Sequence, residues 1–553
     1  MNNKVVITLL ATVGVIASTS AKTIRLDIRP AQKDITQTLT TAAGQMTRTD
    51  TLVVTFAKGN FIIAKAISFP GHVVMKGAGE KKSIITLLDH QDFKSDVFLK
   101  IDGRKNAPVS LSMSKLAINL GKHDGILWNT RSEKFLIKVN HGNRINIDHF
   151  ASYCDNAFCT NLDFRVCENI TITNSSFTNY NNCSTGGILW FRGNIQNVVV
   201  RNNRLYKYGN DEAIAFWEVG DDAHARKPLN TTSYKRNITV ADKYFFFGRP
   251  EKERYEDVGM DVMVTLFADE YGNYNIPTHF QNISFSNNEF DVDAPVKCIM
   301  GITIDKNTTH QGVSIVGNEI NNLEGCSEEG SSHTDFQIND FSATPSAILI
   351  KGNKTQSQCE VFDKYGHNGY THLGVDGALV QFEENTVVSY ASTAKRGVRL
   401  IWVKTKGGSI LLNSNVCKGL EMLCQASFGN GVPQLTLNAQ NNYFQGDTRI
   451  HCSKLDKADI SFTNNTINST RYEYFLQEFA KSGSLVFNYN KVTAGASGCP
   501  LMAHYNQDAL ETMEFTKLEV MGNEFKGVGS EKILLKNFIN VKNRKVRGNA
   551  FVR

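Results

Sequence analysis

The chain has 553 residues, with 60 lysines and arginines against 54 aspartates and glutamates, a formal charge of +6. So small an excess over that length is no evidence for a nucleic-acid partner, and no nucleic-acid-binding signature occurs. Glycine is plentiful (42), proline scarce (10) and phenylalanine abundant (33), which suits many short strands joined by turns rather than a bundle of helices.

The first residues read as a secretory signal. Lys4 supplies the positive start, residues 5–16 are apolar, and Thr19-Ser20-Ala21 offers small residues for cleavage after Ala21. The apolar run is short for a bilayer span and no second one follows, so no membrane span is expected in the mature chain. Loss of Lys4 with the leader takes the charge from +6 to +5, a balance compatible with an acidic polysaccharide. Export to the periplasm, the cell surface or the medium makes disulfides one fate for the 11 cysteines; burial inside a core is the other, and no CxxC zinc or redox spacing occurs.

Residues 34–45 carry a helical apolar stripe, Ile35, Leu39 and Ala42–Ala43. Strand patterns follow in Thr51-Leu52-Val53-Val54 and Gly59-Asn60-Phe61, then a Lys76-Gly77-Ala78-Gly79 turn and Ile84-Ile85-Thr86-Leu87. Those glycines lack the Gly-Lys-Ser/Thr ending of a phosphate loop, so a tight turn is expected. This opening resembles that of pectate-lyase-like, right-handed parallel β-helix proteins, in which such a helix caps the solenoid. The resemblance implies a cap and first rungs over 22–110.

From there one phrase recurs: apolar–x–apolar–x–x–Asn–x–apolar. It stands at Val198-x-Val200 into Asn203-x-Leu205, Ile283-x-Phe285 into Asn288-x-Phe290, Val313-x-Ile315 into Asn318-x-Ile320, and Val380-x-Phe382 into Asn385-x-Val387. Further copies reach Asn353, Asn415, Asn442, Asn465, Asn490, Asn523 and Asn549. The period-two pair is a short strand, and the Asn is turn chemistry, suited to the left-handed backbone region and to a stacked amide ladder. One such rung buries nothing alone; stacked rungs bury a continuous core. The fold expected is all-β, a parallel β-helix solenoid over 111–553, working as a monomer. Sequons such as Asn169-Ile-Thr171, Asn237-Ile-Thr239 and Asn282-Ile-Ser284 follow from the repeat itself.

The phrase lapses between Asn203 and Asn288, with a long insertion near 218–280, and again over 324–345 and 356–377. Long loops on a regular scaffold concentrate function. Asp211-Glu212-Ala213-Ile214-Ala215 resembles the Gly-Asp-Asp-x-Ile-Ala-Ile strand of polygalacturonase-type β-helix hydrolases, which implies general acid and base roles for Asp211 and Glu212. The family's Asn-x-Asp, Gly-His-Gly and Arg-x-Lys motifs are absent at the expected rungs, and the pair can equally cap a turn and form a cross-rung ion pair. Asp221, Asp222, His224 and Arg226 offer a base and carboxylate ligands in a short span, and His367, Tyr370 and His372 sit in another interruption. A lyase would use such groups, with calcium the cofactor that resemblance implies. Trp217, Tyr244, Phe245–Phe247, Tyr271 and Tyr274 could stack on sugar rings, although Phe245–Phe247 fits a packed strand better. The expected role is a secreted polysaccharide-binding and polysaccharide-degrading protein, hydrolase or lyase; the competing class is a non-catalytic adhesive or carbohydrate-binding solenoid.

Overall fold

The computed structural model describes the chain except residues 1–20, 89–96, 121–133, 156–158, 181–185, 210–211, 218–231, 249–259, 268–276, 294–295, 324–332, 359–369, 391–397, 427–431, 453–454, 470–474, 496–497, 505–506 and 553. The signal segment therefore lies outside the described residues.

Each strand pairs in parallel with the strand one coil later. Glu168–Thr173 pairs with Ile195–Arg201, that strand with Ser233–Ala241, and that with Thr278–Ser286. We name this face sheet B. Sheet C stacks Ser176–Tyr180, Arg204–Tyr208, Tyr244–Gly248 and Glu289–Asp293. Sheet A stacks Lys134–Asn140, Cys159–Arg165, Leu189–Arg192, Ile214–Trp217, Met260–Phe267, Val296–Ile304, Thr334–Asp340, Thr371–Asp376 and Val398–Val403. The molecule is the expected right-handed parallel β-helix, the hand that parallel crossovers almost always take. The expected cap is the helix Thr36–Gly44; Leu39, Ala42 and Ala43 are buried, and it packs against the strand Ile67–Phe69.

Equivalent side chains of successive rungs lie one above another. Phe164, Phe191 and Phe216 stack inside sheet A with centroids 5.2 and 4.7 Å apart. Phe245 stacks on Phe290 at 4.6 Å, so Phe245 and Phe247 belong to a core strand as expected. Cys154, Cys167, Cys298, Cys417, Cys424 and Cys452 are buried free thiols within the solenoid.

From Asn288 to Asn549 the asparagines form an unbroken ladder at the corner between sheets B and C. Asn385 is representative. Its Nδ2 donates to Ile350 O and to Asn415 Oδ1, and its Oδ1 accepts from the Nδ2 and backbone N–H of Asn353. One expectation changes: the left-handed residue is the one before the ladder. Asn202, Asn287, Asn441 and Asn464 have φ of 53–58°, while the ladder asparagines themselves have no positive φ. An exposed second ladder runs through Asn143, Asn169, Asn197, Asn237 and Asn282. The sequon asparagines Asn169, Asn237 and Asn282 spend their amides there.

Between Asn203 and Asn288 the coil makes two turns, and Lys243 takes the ladder position between them. Its Nζ donates to Val200 O, and burial drives its pKa well down. Asn288 Oδ1 makes no hydrogen bond among the described residues. Lys243→Asn should complete the ladder and stabilise the fold by about 1–2 kcal/mol in urea unfolding. The unfolded chain binds a proton that the folded Lys243 resists, so wild-type stability should rise with pH up to about 10.4, and the variant should lose that slope. A destabilised variant would refute the ladder assignment.

Candidate functional site

The inward and outward faces of sheet A differ from those of sheet B. In sheet B burial alternates along each strand, as it does when one face meets solvent. In sheet A the strands Cys159–Arg165, Leu189–Arg192, Ile214–Trp217 and Thr371–Asp376 are buried at every position. Chain connections that enter and leave sheet A are also the longest, including 249–259, 268–276, 324–332 and 359–369.

Phe164 faces the core, so its neighbours Asp163 and Arg165 face outward. Register places Lys138, Asp163, Trp190, Ala215, Thr265, Gly301, Gln337, Gly374 and Trp402 in one outward row. A second row carries Asn140, Arg165, Arg192 and Trp217. Phe135, Trp190, Ala215 and Trp217 make a small apolar cluster separate from the main core. Trp190 and Trp217 stack with centroids 4.8 Å apart.

Cations gather around these indoles. Arg165 Nε donates to Asp163 Oδ2 at 2.8 Å. Arg192 Nε stands 3.2 Å from Asp163 Oδ1, an ion-pair contact too poorly aligned for a hydrogen bond. The Arg192 guanidinium lies 4.1 Å over Trp190 and 5.6 Å from the Trp217 ring centre. Burial alone would raise the Asp163 carboxyl, but Arg165, Arg192 and Lys138 outweigh it and hold the pKa low. Burial, with help from both arginines, pulls the Lys138 ammonium down to about 8 against the attraction of Asp163. The indole N–H groups of Trp190 and Trp217 and the Thr265 hydroxyl make no hydrogen bonds among the described residues.

The sequence candidates divide. Asp211, Asp221, Asp222, His224, Arg226 and His367 lie outside the described residues, as do Tyr271 and Tyr274. Glu212 is described and nine-tenths buried. Its carbonyl and Trp190 Nε1 both crowd the Cα of Gly187, which leaves no room there for a Cβ. Glu212 thus flanks the tryptophan cluster. Trp217 is 6% exposed and belongs to that cluster rather than to an open loop.

Tyr370 and His372 require a correction. The sequence placed them in a long loop; the structure places His372 on the strand Thr371–Asp376 and Tyr370 at its threshold, both buried. Tyr370 Oη donates to Asp335 Oδ2 at 2.5 Å and His372 Nδ1 bonds the same oxygen at 2.6 Å. His333 Nε2 reaches Oδ1 at 2.9 Å, and its Nδ1 donates to Val296 O. His372 packs edge-on against the core rings Phe336 and Phe382, so this network faces the interior. Burial opposes ionisation of Asp335, yet the hydrogen bonds from His333 and His372 prevail and bring it to about 2.

Sequence reasoning passed over Asp163, Arg165, Lys138, Trp190 and Arg192, and also Asp447, which burial pushes up to about 7 despite Arg449 Nε at 2.7 Å. Calcium has no fitting donor set among the described residues. No group of three or more His, Cys, Asp or Glu is arranged for a metal, and Asp163 is taken up by two arginines.

No family model matches the chain, and no curated protein matches it. Among solved structures it is similar to the tailspike of Pseudomonas phage phi297, at 10% identity and TM-score 0.39 over 84% of this chain and 74% of that one. It is similar to the tailspike of E. coli phage HK620 solved with a pentasaccharide, at 12% identity and TM-score 0.38 over 92% and 76%. A mannuronic-acid-specific family 6 polysaccharide lyase from human gut microbiota shows 10% identity and TM-score 0.34 over 90% and 91%. Likenesses this loose carry no argument about chemistry.

Proposed function

We propose that this is a secreted protein that binds a polysaccharide along the outer face of sheet A. The supporting observation is the outward row itself. Trp190 and Trp402 stand six rungs apart in it, and of the five residues between them Ala215, Thr265, Gly301 and Gly374 are small and Gln337 is not. At ~4.8 Å per rung the row runs roughly 29 Å between them; Trp190 is fully buried beneath Arg192 and Trp217, so the half-buried Trp402 is the indole that a sugar can reach. Indoles offer flat faces to the C–H faces of sugars, and N–H and O–H groups serve their hydroxyls.

Cleavage of the bound chain is the second part of the proposal, with Glu212 and its neighbour Asp211 as the acid–base pair. The binding-only reading has its own support: Asp163, the carboxylate in the outward row, is neutralised by its arginines. Titrating a polysaccharide panel and following both ultraviolet absorbance of unsaturated uronates and reducing ends separates lyase, hydrolase and binder. Trp402→Ala should weaken binding about tenfold. The Asp211→Asn, Glu212→Gln double variant should abolish turnover and retain binding. Binding without either product signal in the wild type removes the catalytic part, and no binding to any glycan removes the whole proposal.

A further inference from the structure

We infer that the segment 531–547 is a docking surface for an anionic lipid bilayer, so that this protein works against a membrane rather than free in solution. Charge gives the first indication. The segment carries six lysines and arginines and one acid, Glu531, so nearly all of the chain's formal charge of +6 is gathered there and the rest of the chain is close to neutral. Lys542 pairs with Glu514 at 2.8 Å and Lys545 with Glu519 at 3.4 Å. Lys532, Lys536, Arg544 and Arg547 have no ion pair among the described residues, and all four are exposed.

Apolar exposure gives the second. The segment is firmly seated on the coil before it. Leu534, Leu535 and Phe538 are buried, Leu534 O accepts from the Leu501 N–H at 2.8 Å, and Asn540 O accepts from the Phe515 N–H at 2.9 Å. The strand Arg544–Arg547 pairs in parallel with Glu514–Met521. Yet Ile533 and Ile539 stay outside, 36% and 54% exposed, in the same short run as Lys532 and Lys536. Charges on an edge strand also deter pairing with other chains, but that role calls for no exposed isoleucine. An acidic polymer would neutralise the cations and leave both isoleucines in water. A bilayer takes both: lipid phosphates receive the ammonium and guanidinium groups, and the isoleucines enter the boundary between headgroups and acyl chains.

The test is co-sedimentation of the whole secreted chain with two kinds of vesicle, phosphatidylcholine alone and phosphatidylcholine with about one-third phosphatidylglycerol. The anionic vesicles should bind at least about tenfold more tightly at ~0.1 M salt, and the preference should shrink as salt rises. Lys532→Gln combined with Lys536→Gln should weaken anionic binding roughly 25-fold, about fivefold per cation. Ile539→Ser leaves the charge alone and should weaken it about tenfold. These side chains are exposed, so thermal midpoints should not move; if the first pair melts early, Arg544→Gln combined with Arg547→Gln repeats the cation test. No binding to either vesicle, equal binding to both, or anionic binding that none of these variants weakens overturns the membrane surface. So does a loss confined to the glutamine pairs, with Ile539→Ser neutral and soluble dextran sulfate tightly bound, a result that assigns the cations to an acidic polymer.

Discussion

Asp335→Asn should cost about 3–5 kcal/mol of stability, the largest loss expected from a single isosteric change in this chain. The carboxylate accepts from Tyr370 Oη, His372 Nδ1 and His333 Nε2 in a site without solvent. His333 meets Val296 O at Nδ1, and Asp335 Oδ1 and the Asn322 amide at Nε2, so the ring is held by the network around the carboxylate. An asparagine amide removes that charge and turns one oxygen into a donor facing donors. The acid limb gives an independent measure. Asp335 is depressed to about 2 from an unfolded value near 3.9, so its contribution is present above pH ~4 and lost as pH falls toward 2. That loss is worth about 2–3 kcal/mol, and the asparagine variant should lack it. Urea unfolding by circular dichroism from pH 7 to pH 2 tests both. A midpoint shift worth under about 1 kcal/mol at pH 7 would mean that the network contributes little.

This network also shows where the sequence falls silent. The Asn phrase made the coil legible because it repeats what every rung needs, an inward pair and a corner amide. Tyr370 and His372 sit where the phrase lapses, and Thr371-His372-Leu373-Gly374 has no strand-like apolar alternation to mark it. The Asp163 cluster was hidden for a different reason. Leu162-Asp163-Phe164-Arg165 alternates like any strand with a solvated face, and nothing local says that the polar face is buried. That information is in register: Asp163, Trp190 and Ala215 come together only when rungs 27 and 25 residues apart are superposed. Stacking the rungs of the chain one on another by their ladder asparagines would have placed Trp190 beside Arg192 and Trp217. Glu212 was found by resemblance, and the structure supplies its neighbours rather than its role.

Asn385→Ala should cost about 2–4 kcal/mol, although the side chain removed is small and polar. The amide joins three successive rungs. Its loss leaves Ile350 O, Asn415 Oδ1, Asn353 Nδ2 and the Asn353 N–H each one partner short, all in a corner closed to water. Buried donors and acceptors left unsatisfied cost more than the net worth of the bonds they made. Asn385→Asp is the sharper variant: it preserves the acceptor oxygen for Asn353 and abolishes both donations. Its carboxylate then faces Ile350 O and Asn415 Oδ1, so it should be at least as damaging as alanine at pH 7. Lowering the pH should relieve part of the aspartate defect by protonating it, and none of the alanine defect. Because rungs contact chiefly their neighbours, the lesion should be local. Amide hydrogen exchange should accelerate over the strands Ala347–Lys351, Leu379–Glu383 and Gly408–Asn413 while the strands Glu168–Thr173 and Ser482–Asn488 keep their protection. Uniform acceleration along the whole coil would show instead that the ladder couples all rungs into one cooperative unit, and an unchanged exchange pattern would show that the ladder is dispensable.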